Sequence, residues 1–580
     1  MKSMRNIFTT KFFVIIMLAV FVLNFFIPTI LNKDDETGNM NNADAGTNTE
    51  DTVYEIDKHA EWGETMLNIT MWDEDITSTS AIAQVASLAK DYGYTGVDYA
   101  INWYNIQNAL TGENMYDFSR IDSRLEAIYK EGMLSCVSVF FTTSYYEKHL
   151  SQEMMDALKW QETADGQVFF KENYGAAPCI SDPYTHSVLV NAFEAFCTHI
   201  FEKYGTSVTR VEARISQYGE LEYYSGASSA LDYSAPAMTA FIGYLQTQYQ
   251  TVSNLCAKYG NSKYSSYSWD SLLNALNDKT TNQQVTAAFD FDWQEFRQKE
   301  VMRLSKGFQD ATHRACETAN VTDKDGNRVN IPFAFQVGSV YDGASYSLRG
   351  TYDPYLMSKN ADIVHTDDAP LYDHKFSADF MMVNKNGLYA SELDGYWHIL
   401  MKGESVRNGY RDQASTMGAS GVQYLNTANW SFQNMFQERQ LLKDYSELFF
   451  NTPKREYVGD VNPAHAKTAI LINTADLIYK KQSAEASYML GDFYNLVTEN
   501  GKYKMQFLTD TQLLENPQLL DEYTTLYLGG LFNNEYYMRT ALVDLLKSKQ
   551  TTLKPYTNAA TFTLKNEYGI VISKNGLVVL

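Results

Sequence analysis

The sequence predicts an α/β fold, a (β/α)8 barrel followed by a smaller α/β domain, and three observations predict it. Short β-favouring runs alternate with helical stretches between residues 64 and 445; eight such runs occur; and beyond Pro453 the pattern restarts on a new strand of the fully buried type. Alternation of strand and helix marks a parallel sheet, because parallel strands need a crossover connection, and eight units close a barrel.

The first run, 66–71, ends at Trp72 and leads to a helical segment at 80–92. The second, 96–101, ends in Asn102-Trp103-Tyr104 and precedes a helix at 119–131. The third spans 134–141, and the later runs fall at 208–215, 332–337, 362–365, 388–390 and 421–425. Each is rich in the β-branched and aromatic residues that fit a pleated, buried surface. In the second domain, strands are expected at 465–473, 504–508 and 524–530, helices at 483–499 and 538–549, and a β-rich tail at 561–580. Its Gly529-Gly530-Leu531 turn carries no Cys or Ser nucleophile, so assembly or shielding is expected of it, not chemistry. An amidotransferase reading fails because no Cys lies beyond Cys316.

Composition narrows the function classes. With 580 residues and 45% hydrophobic content, the chain fills large cores. A formal charge of -23 excludes nucleic-acid binding, which needs clustered Lys and Arg to neutralise phosphates. The five Cys are scattered without CxxC or metal-ligand spacing, so buried thiols are expected, and neither a metal nor a cofactor is implied.

The N-terminus has its own organisation. Residues 1–11 carry Lys2, Arg5 and Lys11, and 12–31 are apolar over the length of a membrane span. The positive flank orients this signal anchor with its N-terminus in the cytoplasm and the remainder outside. The expected protein is a single-pass protein of the cell membrane with an extracellular catalytic domain, or a secreted one if the segment is cleaved. Residues 32–60 are acidic and poor in apolar residues, the composition of a flexible linker. The barrel is assigned to 61–450 and the second domain to 451–580.

Two segments carry the functional signal: Gln217-Tyr218-Gly219-Glu220-Leu221-Glu222-Tyr223-Tyr224 and Ser391-Glu392-Leu393-Asp394-Gly395-Tyr396-Trp397. Each places a Glu just after a short β-favouring run, beside aromatic residues and Gly. Cleaving a glycosidic bond needs one protonated carboxyl to assist the departing oxygen and one ionised carboxyl to attack the anomeric carbon or activate water. Glu220 and Glu392 are the expected pair, with Glu222 or Glu212 as alternatives to the first and Asp394 to the second. Trp72, Asp98, Trp103, Gln217, Tyr218, Tyr341, His365, Asp367, Asp394, Trp397 and Trp430 sit at strand ends or just beyond and are the expected sugar contacts. Among the tryptophans, Trp103 and Trp430 are the expected stacking platforms.

In this frame the chain resembles the retaining TIM-barrel glycosidases, of the family 42 β-galactosidase type. The likeness runs over roughly residues 64–575 through Tyr116-Asp-Phe-Ser-Arg-Ile-Asp122, Cys179-Ile-Ser-Asp-Pro-Tyr184, Tyr259-Gly260 and Phe291-Asp-Trp-Gln-Glu-Phe-Arg297. It implies Glu220 as acid/base, Glu392 as nucleophile, an oligo- or polysaccharide substrate, a flavodoxin-like second domain and a trimeric assembly. One position departs: the family's acid/base Glu follows an Asn that holds the sugar 2-hydroxyl, and here it follows Gly219. The run Gly219-Glu220-Leu221 is more similar to the acid segment of β-amylases, which invert, and on that likeness Glu392 activates water. A catalytically silent carbohydrate-binding protein of the envelope is the expectation from a different class.

Overall fold

The computed structural model describes residues 56–580 apart from 62–64, 74–77, 142–143, 146–147, 172–174, 217–218, 225–229, 339–348, 369–373, 383–387, 394–403, 428–431, 454–466, 481–493, 496–497, 499–504, 530–534, 556–561, 573–577 and 580; the side chains of 388–393 also lie outside the description. The expected anchor at 12–31 falls outside these residues. None of the described helices is long and apolar enough to cross a membrane.

Eight parallel strands close into a barrel in chain order: β1 (Met66–Trp72), β2 (Gly96–Asn102), β3 (Leu134–Phe140), β4 (Val208–Arg214), β5 (Phe333–Val337), β6 (Ile363–Asp368), β7 (Leu388–Leu393) and β8 (Tyr424–Thr427). Closure is made by β8 on β1, with Tyr424 level with Met66 and Thr427 level with Ile69. Each strand overlaps one of the eight predicted runs. Alternate residues of the strands (Leu67, Ile69 and Met71; Val97, Tyr99 and Ile101; Val137 and Val139; Val211 and Ala213) bury against the surrounding helices in the main apolar core. The helices begin where side chains satisfy their free amides. Ser78 Oγ accepts from Ala81 N at 3.2 Å ahead of helix Thr79–Asp91. Asp182 caps Thr185 N at 2.8 Å with Pro183 in the first turn of Pro183–Tyr204. Between β4 and β5 an insertion of short helices, Ala235–Tyr249 to Asn282–Ala288, packs its own apolar cluster against the start of the long helix Asp290–Ala319.

The other set of strand residues fills the barrel. Met66, Cys136, Ala334, Ile363 and Tyr424 form a separate small apolar cluster. Beyond them along the strands the interior becomes charged. Arg210 Nη2 lies 2.9 Å from Glu212 Oε1, and Arg214 Nη2 lies 2.9 Å from Glu212 Oε2 and 3.4 Å from Asp98 Oδ2. His365 Nδ1 meets Glu212 Oε1 at 2.8 Å, while Asn426 donates to Asp98 Oδ2 at 2.8 Å and Asn68 donates to Asn426 at 3.0 Å. Arg210 also stacks on the Tyr424 ring, 4.9 Å from its centroid. Every one of these side chains is buried. Burial would raise Glu212, but Arg210, His365 and Arg214 outweigh it and hold its carboxyl well below the usual range. Burial wins at Asp98, which is raised, and at His365, which is lowered.

The part of the chain beyond the barrel, the expected second domain, holds a five-stranded parallel sheet. Its strands are β9 (Thr468–Ile472), β10 (Gln506–Thr509), β11 (Thr525–Gly529), β13 (Thr552–Pro555) and β16 (Val578–Val579), ordered β10-β9-β11-β13-β16. A three-stranded sheet of β12 (Glu535–Met538), β14 (Thr563–Asn566) and β15 (Val571–Ile572) lies alongside. A polar cluster joins this domain to the barrel insertion. Arg539 pairs with Asp510 and, at 2.9 Å, with Glu295, and donates to Thr474 Oγ1 at 2.8 Å. Thr511 donates to Asp353, whose carboxyl also caps Tyr355 N at 3.0 Å. Tyr249 and Tyr259 donate to Asp292 at 2.8 and 2.7 Å, and Tyr249 meets Tyr568 of the second domain at 2.9 Å.

One expectation is corrected. Residues 57–60, placed in the flexible linker, are docked on the barrel. Thr206 N donates to Lys58 O at 3.0 Å, Ser207 Oγ to Asp57 O at 2.6 Å, and Thr206 Oγ1 to Ala60 O at 2.8 Å. Gly205 makes this contact: a Cβ there would stand 2.1 Å from Lys58 O. Composition missed it because the attachment runs through backbone carbonyls, which side-chain polarity does not report.

Two outcomes follow. Glu212→Ala leaves two buried guanidinium groups short of their shared carboxylate, and a loss of about 3–5 kcal/mol is expected in denaturant unfolding followed by tryptophan fluorescence. Because the ionised form of Glu212 is the stabilised one, the stability gap between wild type and Glu212→Gln is expected to narrow as pH falls below about 4. Asp353 runs the other way. Burial, reinforced by Asp510, raises its carboxyl to about 7. Its contribution is full below the unfolded-state value near ~4 and is lost as pH rises toward 7. Asp353→Asn is expected to flatten thermal stability across that window.

Candidate active site at the mouth of strand four

Glu220 stands five residues from Ile215, where the chain leaves β4, and a tight loop returns it to the strand end. Ile215 N and Ser216 N both donate to Glu220 O, at 3.0 and 2.9 Å. The loop closes through Gly219, whose φ of +108° is a conformation that side-chain-bearing residues rarely adopt. Leu221 N then donates to Gln336 O on β5 at 2.9 Å, pinning the acid between the fourth and fifth strands. The Glu220 carboxyl is buried. Its Oε2 accepts from Ser216 Oγ at 2.5 Å, and Glu220 N donates to the same hydroxyl at 3.1 Å.

The neighbouring glutamates are committed elsewhere. Glu222 is wholly buried, with Arg349 Nη1 2.8 Å from Oε1 and Thr351 Oγ1 donating to Oε2 at 3.2 Å. Tyr223 N donates to Arg349 O at 3.0 Å, and the Arg297 guanidinium covers the Tyr223 ring at 4.6 Å. Glu212 belongs to the interior charge network. Of the three candidate carboxyls in this stretch, Glu220 alone is held at the mouth of the barrel by a neutral hydroxyl and not by a cation.

The second candidate, Glu392, lies in β7, one residue from its end, with its Cα level with Asp367 on β6 and Asn426 on β8. Its side chain is outside the described residues, as are Gln217, Tyr218, Tyr341, Asp394, Trp397 and Trp430. Arg411 pairs with Asp444 at 3.2 Å and Glu404 at 3.3 Å.

Trp72 ends β1 half-buried, its ring 5.9 Å from that of Phe140, and its buried Nε1 has no hydrogen-bond partner among the described residues. The next residue, Asp73, fixes the adjoining loop by accepting from Tyr99 at 2.5 Å, Arg120 at 2.6 Å and Asn105 at 2.8 Å. Asp367 is half-buried at the end of β6.

Three expected sugar contacts are corrected. Trp103 is wholly buried, its Nε1 donating to Gln107 at 2.6 Å and its ring 5.3 Å from Phe141, so it packs the core and offers no platform. Asp98 and His365 are fully enclosed in the barrel interior as partners of Arg214 and Glu212. Their polarity serves that network. Ser216 was missed, because a serine in a loop carries no pattern of its own. All five cysteines are free and buried, as expected. Among the described residues no His, Cys, Asp or Glu group is arranged to hold a metal ion.

No family model matches the chain, and no curated protein does. Solved structures share its fold. A β-galactosidase from the psychrophilic Marinomonas ef1 is similar with a TM-score of 0.60 and 13% identity, over 88% of this chain and 78% of that one. A catalytic mutant of Gan42B, a GH42 β-galactosidase from G. stearothermophilus, gives 0.60 and 13%, over 88% and 73%. The catalytic domain of β-amylase from Paenibacillus polymyxa gives 0.50 and 11%, over 67% of this chain and 99% of that domain. At these identities the likeness is one of fold.

The two neighbouring glutamates are expected to separate cleanly in thermal unfolding. Glu222→Ala strands a largely buried Arg349 and costs about 3–5 kcal/mol. Glu220→Gln keeps an acceptor oxygen for Ser216 and changes stability by less than about 1 kcal/mol.

Proposed function

We propose that this chain is a glycoside hydrolase that cleaves O-glycosidic bonds with two glutamates, retaining configuration, on a β-galactosidase-like oligo- or polysaccharide substrate. The observation that carries it is Glu220: a buried carboxyl at the mouth of β4, bonded to a neutral hydroxyl, while Glu212 and Glu222 beside it are locked to arginines. The position of Glu392 near the end of β7 supplies the second carboxylate at the same end of the barrel, the end where such barrels carry their chemistry. The β-galactosidases among the similar folds support the substrate class.

In this reading the Glu220 proton passes to the glycosidic oxygen as the bond from that oxygen to the anomeric carbon breaks, and its electron pair stays on the oxygen. The Glu392 carboxylate bonds to the anomeric carbon. Water then attacks that carbon, gives its proton to Glu220 and releases Glu392, so both carboxyls return to their starting states. The two-carboxylate reaction calls for no cofactor. Trp72, half-buried at the rim, is the described aromatic best placed to meet a sugar ring.

An inverting, β-amylase-like reaction is the second reading, favoured by the Gly219-Glu220-Leu221 segment and its positive-φ glycine. There Glu392 activates water and the carboxyls stand roughly 6.5–9.5 Å apart, against roughly 5–5.5 Å for retention. The second domain we read as flavodoxin-like and non-catalytic. Its strand order corresponds to the 2-1-3-4-5 of that class, and the ends of β9 and β10 are occupied by the Arg539, Asp510 and Thr474 cluster. An assembly role, and attachment outside the cell through residues 12–31, complete the proposal. Fractionation with and without residues 1–35 tests the attachment, and release of the intact chain to the medium refutes it.

NMR of products from aryl glycosides and oligosaccharides tests the reaction. Retained anomeric configuration is expected, with turnover lost on the order of 10³-fold or more in Glu392→Ala. In Glu220→Ala the loss is expected to be far smaller for 2,4-dinitrophenyl than for alkyl leaving groups, since only the latter need protonation. Inverted product selects the second reading. A glycan bound without turnover identifies a carbohydrate-binding protein and removes the enzyme.

A further inference from the structure

Resting on the acid/base reading of Glu220, we propose that Ser216 is its positioning residue, giving the two carboxyl oxygens separate jobs: Oε2 is held by the Ser216 hydroxyl, and Oε1 exchanges the proton with the glycosidic oxygen. Three hydrogen bonds tie these two residues across the loop. Ser216 N donates to Glu220 O at 2.9 Å, Glu220 N donates to Ser216 Oγ at 3.1 Å, and Ser216 Oγ donates to Glu220 Oε2 at 2.5 Å. The last two form a closed ring. A hydroxyl has one proton and two lone pairs. Here the Glu220 amide takes a lone pair, which turns the hydroxyl proton toward the carboxylate of the same residue. Both side chains are buried, so water does not compete for either end.

The arrangement suits a group that cycles between acid and base. A flexible glutamate is fixed at its tip through one oxygen, Oε2, held at the strand end. The hydroxyl that holds the Glu220 carboxyl carries no net charge, whereas Glu222 is held by the Arg349 cation. The charges flanking the loop, Arg214 behind Gly219 and the Glu222–Arg349 pair beyond Leu221, remain in place when Ser216 is changed.

The test compares wild type, Ser216→Ala, Ser216→Cys and Ser216→Thr on a series of aryl and alkyl β-galactosides. Ser216→Ala is expected to lose kcat on the order of tenfold or more with KM little changed. The loss should be largest for alkyl leaving groups, and the alkaline limb of kcat/KM should move to higher pH because the carboxylate has lost a donor. Thr restores the behaviour and Cys, a weak donor, falls between. A 13C-carboxyl titration, with Glu220→Gln identifying the resonance, reads the same displacement without substrate. A loss equal for every leaving group, an unmoved alkaline limb or an unmoved carboxyl titration overturns the proposal while leaving Glu220 as the acid. If Glu220→Ala handles alkyl leaving groups as wild type does, the acid/base reading fails and this proposal with it. Should Ser216→Ala not fold, the Cys and Thr variants give the same comparison.

Discussion

The barrel depends on the charge network that Arg210, Glu212 and Arg214 build from one face of β4. Three charged residues at alternate positions of a fully buried strand would each be costly alone. They are tolerable together because Glu212 faces both guanidinium groups and His365, while Asp98 meets Arg214 and Asn426. The network thereby spans β2, β4, β6 and β8, strands that are not neighbours in the sheet. It makes the interior a directional contact, where the layers of Val, Ile and Leu usual in such barrels would give a nonspecific one. Arg214 is the last residue of β4, so the loop carrying Glu220 starts from a strand end whose side chain is fixed on two carboxylates.

The same logic of buried charge matched across elements joins the two domains. Arg539 reaches to Asp510, at the start of the helix Asp510–Glu515, and to Glu295 on the helix beside the barrel. Glu295 in turn accepts from Tyr244 at 2.9 Å, and Asp292 one turn before it gathers Tyr249 and Tyr259. The long helix Asp290–Ala319 also supplies Arg297, which covers Tyr223 beside the Glu220 loop. One helix therefore carries both the domain contact and the support of the candidate site.

Much of this was legible in the sequence, for identifiable reasons. All eight barrel strands were, because a parallel strand buried on both faces is a run of apolar and β-branched residues between helices. Gly219 and the tyrosines singled out Glu220 in the sequence. The ion pair that sets Glu222 apart from it was not legible, since Arg349 lies more than a hundred residues away and pairing across that distance leaves no local trace. Asp98, His365 and Trp103 were misread for a related reason. A polar or aromatic residue within or just beyond a strand has the same spacing whether it faces a substrate or a sealed interior, and only closure of the barrel decides; Asp98 and His365 lie inside β2 and β6. Residues 57–60 have the composition of a tether, yet their carbonyls are the complement of Thr206 and Ser207.

Gly219 shapes the loop that carries Glu220. At φ +108° the backbone brings Glu220 O back onto the amides of Ile215 and Ser216, and that return sets Glu220 N against the Ser216 hydroxyl. A built Cβ at 219 would lie 3.4 Å from Arg214 Nη1 and 3.7 Å from the Phe140 ring, so space tolerates a side chain better than the torsion does. The constraint is therefore conformational, and a residue with a side chain here would disturb the loop. That loop holds Glu220 from behind, through the returned carbonyl and the Ser216 hydroxyl. The half-buried Asp367 stands level with Glu392 on the adjoining strand.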